Sequence, residues 1–190
     1  MAAPMRHASK TYLLQFAHEH IDFKLAELKA IAHLLRIPIR VDEAKYDKKN
    51  PFLVVDLPSE KDGRRIMGRS VLAKSLFELW ATAGCFDDLH RELQMLPKDF
   101  VKPHLSEDLT YRIRVEAFNR SLSPAEKLER INALPEETLN FQGKVNLKSP
   151  DQSFHLLEFY EYEAQKSTKG PVALYFGRWV RFRKSDQCLP

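Results

Sequence analysis

His18, Glu19 and His20 are the first residues whose types and spacing could do chemistry. On an extended backbone alternate side chains point the same way, so the two imidazoles could face one metal ion. A catalytic zinc needs three protein ligands, and no third is evident near this pair. The triplet therefore reads as a solvated connection between a strand and a helix. Asp87 and Asp88 sit where a helix begins, and negative charge there complements the helix dipole. Glu136 and Glu137 follow a helix and read as solvated. His155 lies in an apolar run and reads as a partly buried, hydrogen-bonded residue, not a base. Cys85 and Cys188 stand far apart in no metal-ligand spacing, which predicts two reduced thiols. The six glycines include no Gly-x-Gly pair, and there is no P-loop, Gly-x-Ser-x-Gly elbow or Cys-x-x-Cys. No catalytic, cofactor-binding or metal-ligating residue is expected.

Basic residues beside aromatic ones suggest a different chemistry. Arg112 and Arg114 share one face of a predicted strand. Lys144 and Lys148 flank "VNL", Arg178 lies between Tyr175–Phe176 and Trp179, and "RFRK" closes the run. Arg and Lys hold phosphates, and aromatic faces stack unpaired bases. Arg112, Arg114, Lys144, Lys148 and Arg178 are thus the RNA-contact candidates. Polar strand faces also commonly carry Arg and Lys, and Trp80, Phe176 and Trp179 are assigned first to packing.

The net charge of +4 and pI near 9.0 permit a nucleic-acid partner without demanding one. The excess is spread along the chain, so any basic face must be made by folding. No apolar run is long enough to span a membrane, and "MAAPMRHASK" lacks a signal-peptide core. A cytoplasmic location is expected.

These side chains must be positioned by an α+β chain. "TYLLQFA" (11–17) reads as a buried strand. "FKLAELKAIAHLLR" reads as a helix with Asp22 as N-cap and Pro38 beyond its end. "PIRVD" and "PFLVVDLP" are strands, and a helix starts at Ser59 and stops at Gly68. Residues 74–80 read as a strand, though periodicity alone also allows a helix, and as a strand they complete the split βαβ order, βαββαβ, of a ferredoxin-like unit. "FDDLHRELQML" is amphipathic, with Phe86, Leu89, Leu93 and Leu96 on one face. Residues 97–103 are a candidate linker. "TYRIRVEAFN" alternates as a strand, and "SPAEKLERINAL" carries Ser123 as cap, Pro124 at the first helical position and Glu126 completing a capping box. In "FQGKVNLKSPDQSFHLLEFYEY" a strand breaks at a Lys-Ser-Pro-Asp turn and restarts, with Asp151 satisfying the turn locally. "AQKSTKGP" is a looser segment before a last strand in "VALYFGRWVRFR".

"YLLQFAHEHIDFKLAELKAI", "NPFLVVDLPSE", "RSVLAKSLFELWATAG", "TYRIRVEAFNRSLSPAEKLERINAL", "FQGKVNLKSPDQSFHLLEFYEY" and "LYFGRWV" together resemble the N-terminal half of the eukaryotic tRNA (guanine-10-N2-)-methyltransferase catalytic subunit. "VNLKSPD" is similar to the strand and turn of THUMP domains. The resemblance implies a ferredoxin-like unit (10–84), a THUMP domain (85–181) and a divergent tail (182–190). It implies a platform for the tRNA acceptor region that positions tRNA for guanine N2 methylation. The family's S-adenosylmethionine loop and acidic-Pro-Pro-Tyr motif, expected after "YFGRW", occur nowhere in these residues, so the chain alone is expected to be inactive. The family's zinc-ribbon activator subunit would dock on that methyltransferase domain and is not expected here. The alternative is a protein-interaction module or regulatory short form without independent RNA binding.

Overall fold

The computed structural model describes residues 10–161 and 170–182. Cys188, the "AQKST" stretch, Arg183, Lys184 and the rest of the predicted tail lie outside them. The chain divides into two compact units, one running to Glu78 and resuming at Val180, the other Leu79–Trp179. Both are mixed α/β.

The first unit runs β1 (Lys10–Phe16), α1 (Lys24–Leu35), β2 (Arg40–Val41), β3 (Phe52–Leu57), α2 (Glu60–Arg69) and the first part of β4 (Ala73–Ala83). Its strands lie in the order β2-β3-β1-β4, each antiparallel to its neighbours. Tyr12, Leu14 and Phe16 alternate into the core with Leu53, Val55 and Leu57, and there meet Leu28, Ile66 and Met67 from the helices. Val180 joins this core, fully buried, and its N–H donates to the Leu76 carbonyl at 2.8 Å.

Two helix boundaries differ from the sequence pattern. Asp22 does not cap α1: it sits in a 3-10 turn, Ile21–Phe23, and pairs with Lys48 Nζ at 2.9 Å. Helix α2, capped by Ser59, runs through Gly68 and ends one residue later. What ends it is tertiary. Glu27 of α1 accepts from Ser70 Oγ at 2.7 Å and from the Val71 N–H at 2.8 Å, which turns the chain into β4. Gly63 costs helix propensity but lets α2 pack closely on β4, since a Cβ there would stand 2.6 Å from Leu76 Cδ2 and force that side chain to shift.

The second unit takes the end of β4, then α3 (Phe86–Gln94), α4 (Lys98–Val101), β5 (Tyr111–Phe118), α5 (Pro124–Asn132), β6 (Gln152–Phe159) and β7 (Ala173–Trp179). Strand β5 pairs with β6 in parallel, the connection being α5, and β6 pairs with β7 antiparallel. The α5 capping box is present as read from the sequence, with Pro124 at its start. Residues 97–103 are not a linker: they form α4 and the turn after it, and Val101 is buried. Trp80 centres the core, edge-on to Phe100 and Phe154 at 5.4 and 5.1 Å, with Leu89 and Leu93 of α3 beside it. Phe176 is fully buried and Trp179 half-buried.

Candidate nucleic-acid interface

Among the described residues strand β5 is the last in its sheet order, and its outer edge makes no further ladder beyond one isolated bridge. Val115 points into the core, and alternation sends Arg112, Arg114 and Glu116 to the other face. Arg114 is exposed and stands opposite His155 in the register. Arg112, half-buried, stands opposite Ser153 and donates from Nε to Ser153 Oγ at 2.9 Å. Its Nη1 donates to the Leu147 carbonyl at 3.1 Å.

A polar chain continues from Ser153 along the same face. Ser153 Oγ lies 3.1 Å from His155 Nε2, and His155 Nδ1 lies 3.4 Å from Glu116 Oε1. With the serine hydroxyl donating to Nε2, the Nδ1–H faces Glu116 as a 3.4 Å contact without a formed hydrogen bond. The close approach of His155 holds the Glu116 carboxyl below its ordinary range, with the charge of Arg114 assisting. His155 is thus the buried, bonded residue that its apolar context predicted. Ser153 and His155 are both buried, and Ser153 is engaged by Arg112.

The segment 141–151 packs along the open edge of β5. It is not the strand that its apolar residues predict: one isolated bridge, Tyr111 to Val145, is all the ladder it makes. The Tyr111 N–H donates to the Lys144 carbonyl at 3.0 Å, and the Asn146 N–H donates to the Tyr111 carbonyl at 2.9 Å. The Phe141 ring stacks on Tyr111, centroids 4.5 Å apart. The turn is organised by Asn146, not by Asp151. Asn146 Oδ1 accepts from the Lys148 and Ser149 N–H groups at 3.2 and 3.1 Å, and its Nδ2 donates to the Ser149 carbonyl at 2.9 Å. Asp151 instead ties the end of the loop to Thr110. Lys144 and Lys148 are exposed on this loop, as are Val145 and Leu147, the latter 71% exposed.

Four of the five sequence candidates therefore belong to β5 or to the loop along its edge. Arg178 does not. It stands opposite Phe154 on β7, on the core side of the sheet, and is 8% exposed. Sequence reasoning missed Thr110, Gly143 and Asn146, the residues that shape the loop. Asn146 and Ser149 were visible as an Asn-x-x-Ser pattern. Gly143 was not, because the Leu109 carbonyl that excludes a Cβ there is brought by the fold.

Elsewhere in this unit a buried carboxylate fixes α5 to β6. Glu158, fully buried, accepts from Arg130 Nε at 3.2 Å and from the Tyr160 hydroxyl at 2.6 Å. Burial, then the bond to Glu158 and its charge, push the Tyr160 phenol up to about 12. A cleft of about 230 Å³ between α3 and α5 has no serine, cysteine or lysine in its lining. His90 in that lining is tied to the Ala133 carbonyl and to Gln94. His18, Glu19 and His20 are exposed, and His20 has a left-handed backbone, φ 50°. Among the described residues no three His, Cys, Asp or Glu side chains are grouped to hold a metal, and Cys85 is an exposed free thiol. Among them also, no helix is long and apolar enough to cross a membrane.

The fold and this surface define a class: a two-unit α/β protein that presents a lysine-bearing loop on the open edge of a sheet. Residues 10–185 match the family model described as the Tmrp11 THUMP N-terminal domain, and the chain belongs to that family. It is 40% identical over 169 residues to the tRNA (guanine(10)-N(2))-methyltransferase TRMT11 of Mus musculus, covering 89% of this chain and 36% of that protein. It is 28% identical over 179 residues to the tRNA (guanine(10)-N(2))-methyltransferase of Saccharomyces cerevisiae, covering 90% and 39%. The chain thus spans a little over a third of the length of these curated relatives. In fold it is similar to PH1313 from Pyrococcus horikoshii, with a TM-score of 0.55 at 13% identity over 89% of this chain and 54% of that one. TrmN from Thermus thermophilus gives a TM-score of 0.50 at 15% identity over 91% and 46%.

Proposed function

We propose that these residues form the tRNA-binding part of a tRNA (guanine-10-N2-)-methyltransferase, and that methyl transfer belongs to a separate S-adenosylmethionine-binding domain. Family membership and the names of the relatives support the substrate and reaction. The observation that carries the physical case is the 141–151 loop, whose backbone is hydrogen-bonded to β5 at Tyr111 and which carries exposed Lys144 and Lys148, with exposed Arg114 on the same strand. A loop backbone already held to the strand suits phosphate contact, because little loop entropy is lost on binding. Arg178, which exposes the least surface, contributes least to contact. The role is positioning: the chain holds the tRNA acceptor region so that a distant guanine reaches a methyl donor bound elsewhere. A zinc-ribbon activator would dock on the methyltransferase domain and not on these residues. The βαββαβ order and β2-β3-β1-β4 arrangement support a ferredoxin-like reading of the first unit, with a THUMP domain as the second. A cytoplasmic site of action accords with this role.

The test is fluorescence anisotropy of labelled tRNA titrated with this chain at low and physiological salt, alongside tRNA lacking its single-stranded 3′ end. Binding is expected to weaken with salt and on loss of that end. A folded chain that binds neither RNA at low salt would overturn the proposal. A second reading, a protein-docking module, is favoured by the exposure of Val145 and Leu147 on the same loop. It predicts partner binding that is insensitive to salt.

A further inference from the structure

The loop that bears Lys144 and Lys148 is held partly by a side chain that charge pattern alone assigns to phosphate. We infer that Arg112 is a positioning residue for this loop, acting on RNA through Lys148 and not by touching it; the inference rests on the tRNA-binding reading.

Three observations carry it. The Arg112 guanidinium commits Nε to Ser153 Oγ at 2.9 Å and Nη1 to the Leu147 carbonyl at 3.1 Å, so two arms of its planar fork join β6 to the loop. Arg112 is half-buried, whereas Arg114, two residues along the same face, is exposed and free of that geometry. The anchor behind Arg112 is itself fixed, because Ser153 is buried and continues through His155 to Glu116. Leu147 lies inside the turn that Asn146 closes, and its carbonyl belongs to the peptide unit that supplies the Lys148 N–H. Removing the Arg112 bond therefore releases the peptide from which Lys148 projects. A lysine at 112 keeps the charge but cannot span both acceptors with a planar fork.

The experiment uses the whole chain with Arg112→Lys, Arg112→Gln, Lys148→Gln and the Arg112→Gln/Lys148→Gln pair. Two readouts are taken: amide exchange of residues 146–149 without RNA, and tRNA anisotropy across a salt series. Arg112→Lys is expected to speed exchange of the Lys148 and Ser149 amides about tenfold, as local opening becomes easier. It is also expected to weaken tRNA binding as much as Arg112→Gln does. With Lys148→Gln already in place, Arg112→Gln is expected to add little. Two results would overturn the inference. One is normal tRNA affinity in Arg112→Lys while Arg112→Gln lowers the salt slope by about 0.7–0.9, the mark of one lost phosphate contact. The other is unchanged loop exchange in both variants. If the unaltered chain fails to bind tRNA, the RNA reading fails, and the exchange readout still decides whether Arg112 holds the loop.

Discussion

Thr110 and Asp151 close a reciprocal set of hydrogen bonds although 41 residues separate them. Asp151 Oδ2 accepts from the Thr110 N–H at 2.9 Å and from its hydroxyl at 2.6 Å, while the Asp151 N–H donates to Thr110 Oγ1 at 3.1 Å. The pair joins the start of β5 to the start of β6 and so fixes the C-terminal end of the candidate RNA loop. Asp151→Ala is expected to destabilise the second unit by about 1–2 kcal/mol, since charge-assisted bonds to an acceptor are lost. Asp151→Asn, which retains an acceptor oxygen, is expected to lose less. Urea midpoints of the two variants check the order.

Gly143 is a second fixed point, for a steric reason. A Cβ there would run into the Leu109 carbonyl oxygen, with Ser106 O at 3.2 Å behind it. Both obstacles are backbone, so no side-chain rotation relieves the clash. Gly143→Ala is expected to cost about 1–3 kcal/mol, in the range of overpacking. It should also shift the amide resonances of 141–149 more than those of α3. A chemical-shift map of the variant that leaves the loop unmoved would contradict this.

What could be read beforehand divides along local and non-local lines. The α5 capping box, the alternation of Tyr111 to Glu116 and the amphipathic face of α3 are short-range patterns, and all three stand in the structure. The end of α2 was misplaced because Glu27, from another helix, decides it, overriding the glycine signal. Residues 97–103 looked like a linker from their two prolines, yet Val101 finds a core. Residues 141–147 carry strand-like residues but align with the edge through only one bridge, and their register depends on Tyr111. The charged candidates were legible as types. Which of them a sheet turns outward was not: Arg178 and Trp179 are adjacent in sequence and face opposite ways.

Tyr160 gives a pH signature. Its phenol is pushed from an ordinary 10.0 to about 12 in the folded protein, by burial first and then by Glu158. A raised folded-state value means that its contribution to stability is complete below pH 10 and is lost as pH rises through 12. Tyr160→Phe removes a donor from the buried Glu158 carboxylate, which costs about 1–3 kcal/mol at neutral pH. The gap in urea midpoint between the unaltered chain and Tyr160→Phe is therefore expected to narrow above pH 10. A gap that stays constant to pH 11.5 would show that Tyr160 titrates in its ordinary range.

Apart from Arg112, the four other basic candidates should separate into two behaviours, because burial decides whether a cation meets solvent or its own protein. Arg114, Lys144 and Lys148 are exposed, so changing any one to Gln should leave the urea midpoint within about 0.5 kcal/mol of the unaltered chain. Each should weaken tRNA binding and lower the salt slope by about 0.7–0.9 if it meets one phosphate. Arg178 lies on the core side opposite Phe154, and replacing a buried, partnered guanidinium removes both its packing and its interaction there. Arg178→Gln is expected to lower stability by about 2–4 kcal/mol and to leave the salt slope of the molecules that remain folded unchanged. Paired urea and salt titrations on the four variants separate the behaviours. An Arg178→Gln chain of full stability with a reduced slope would return Arg178 to the contact surface and require the β7 side of the sheet to open toward RNA.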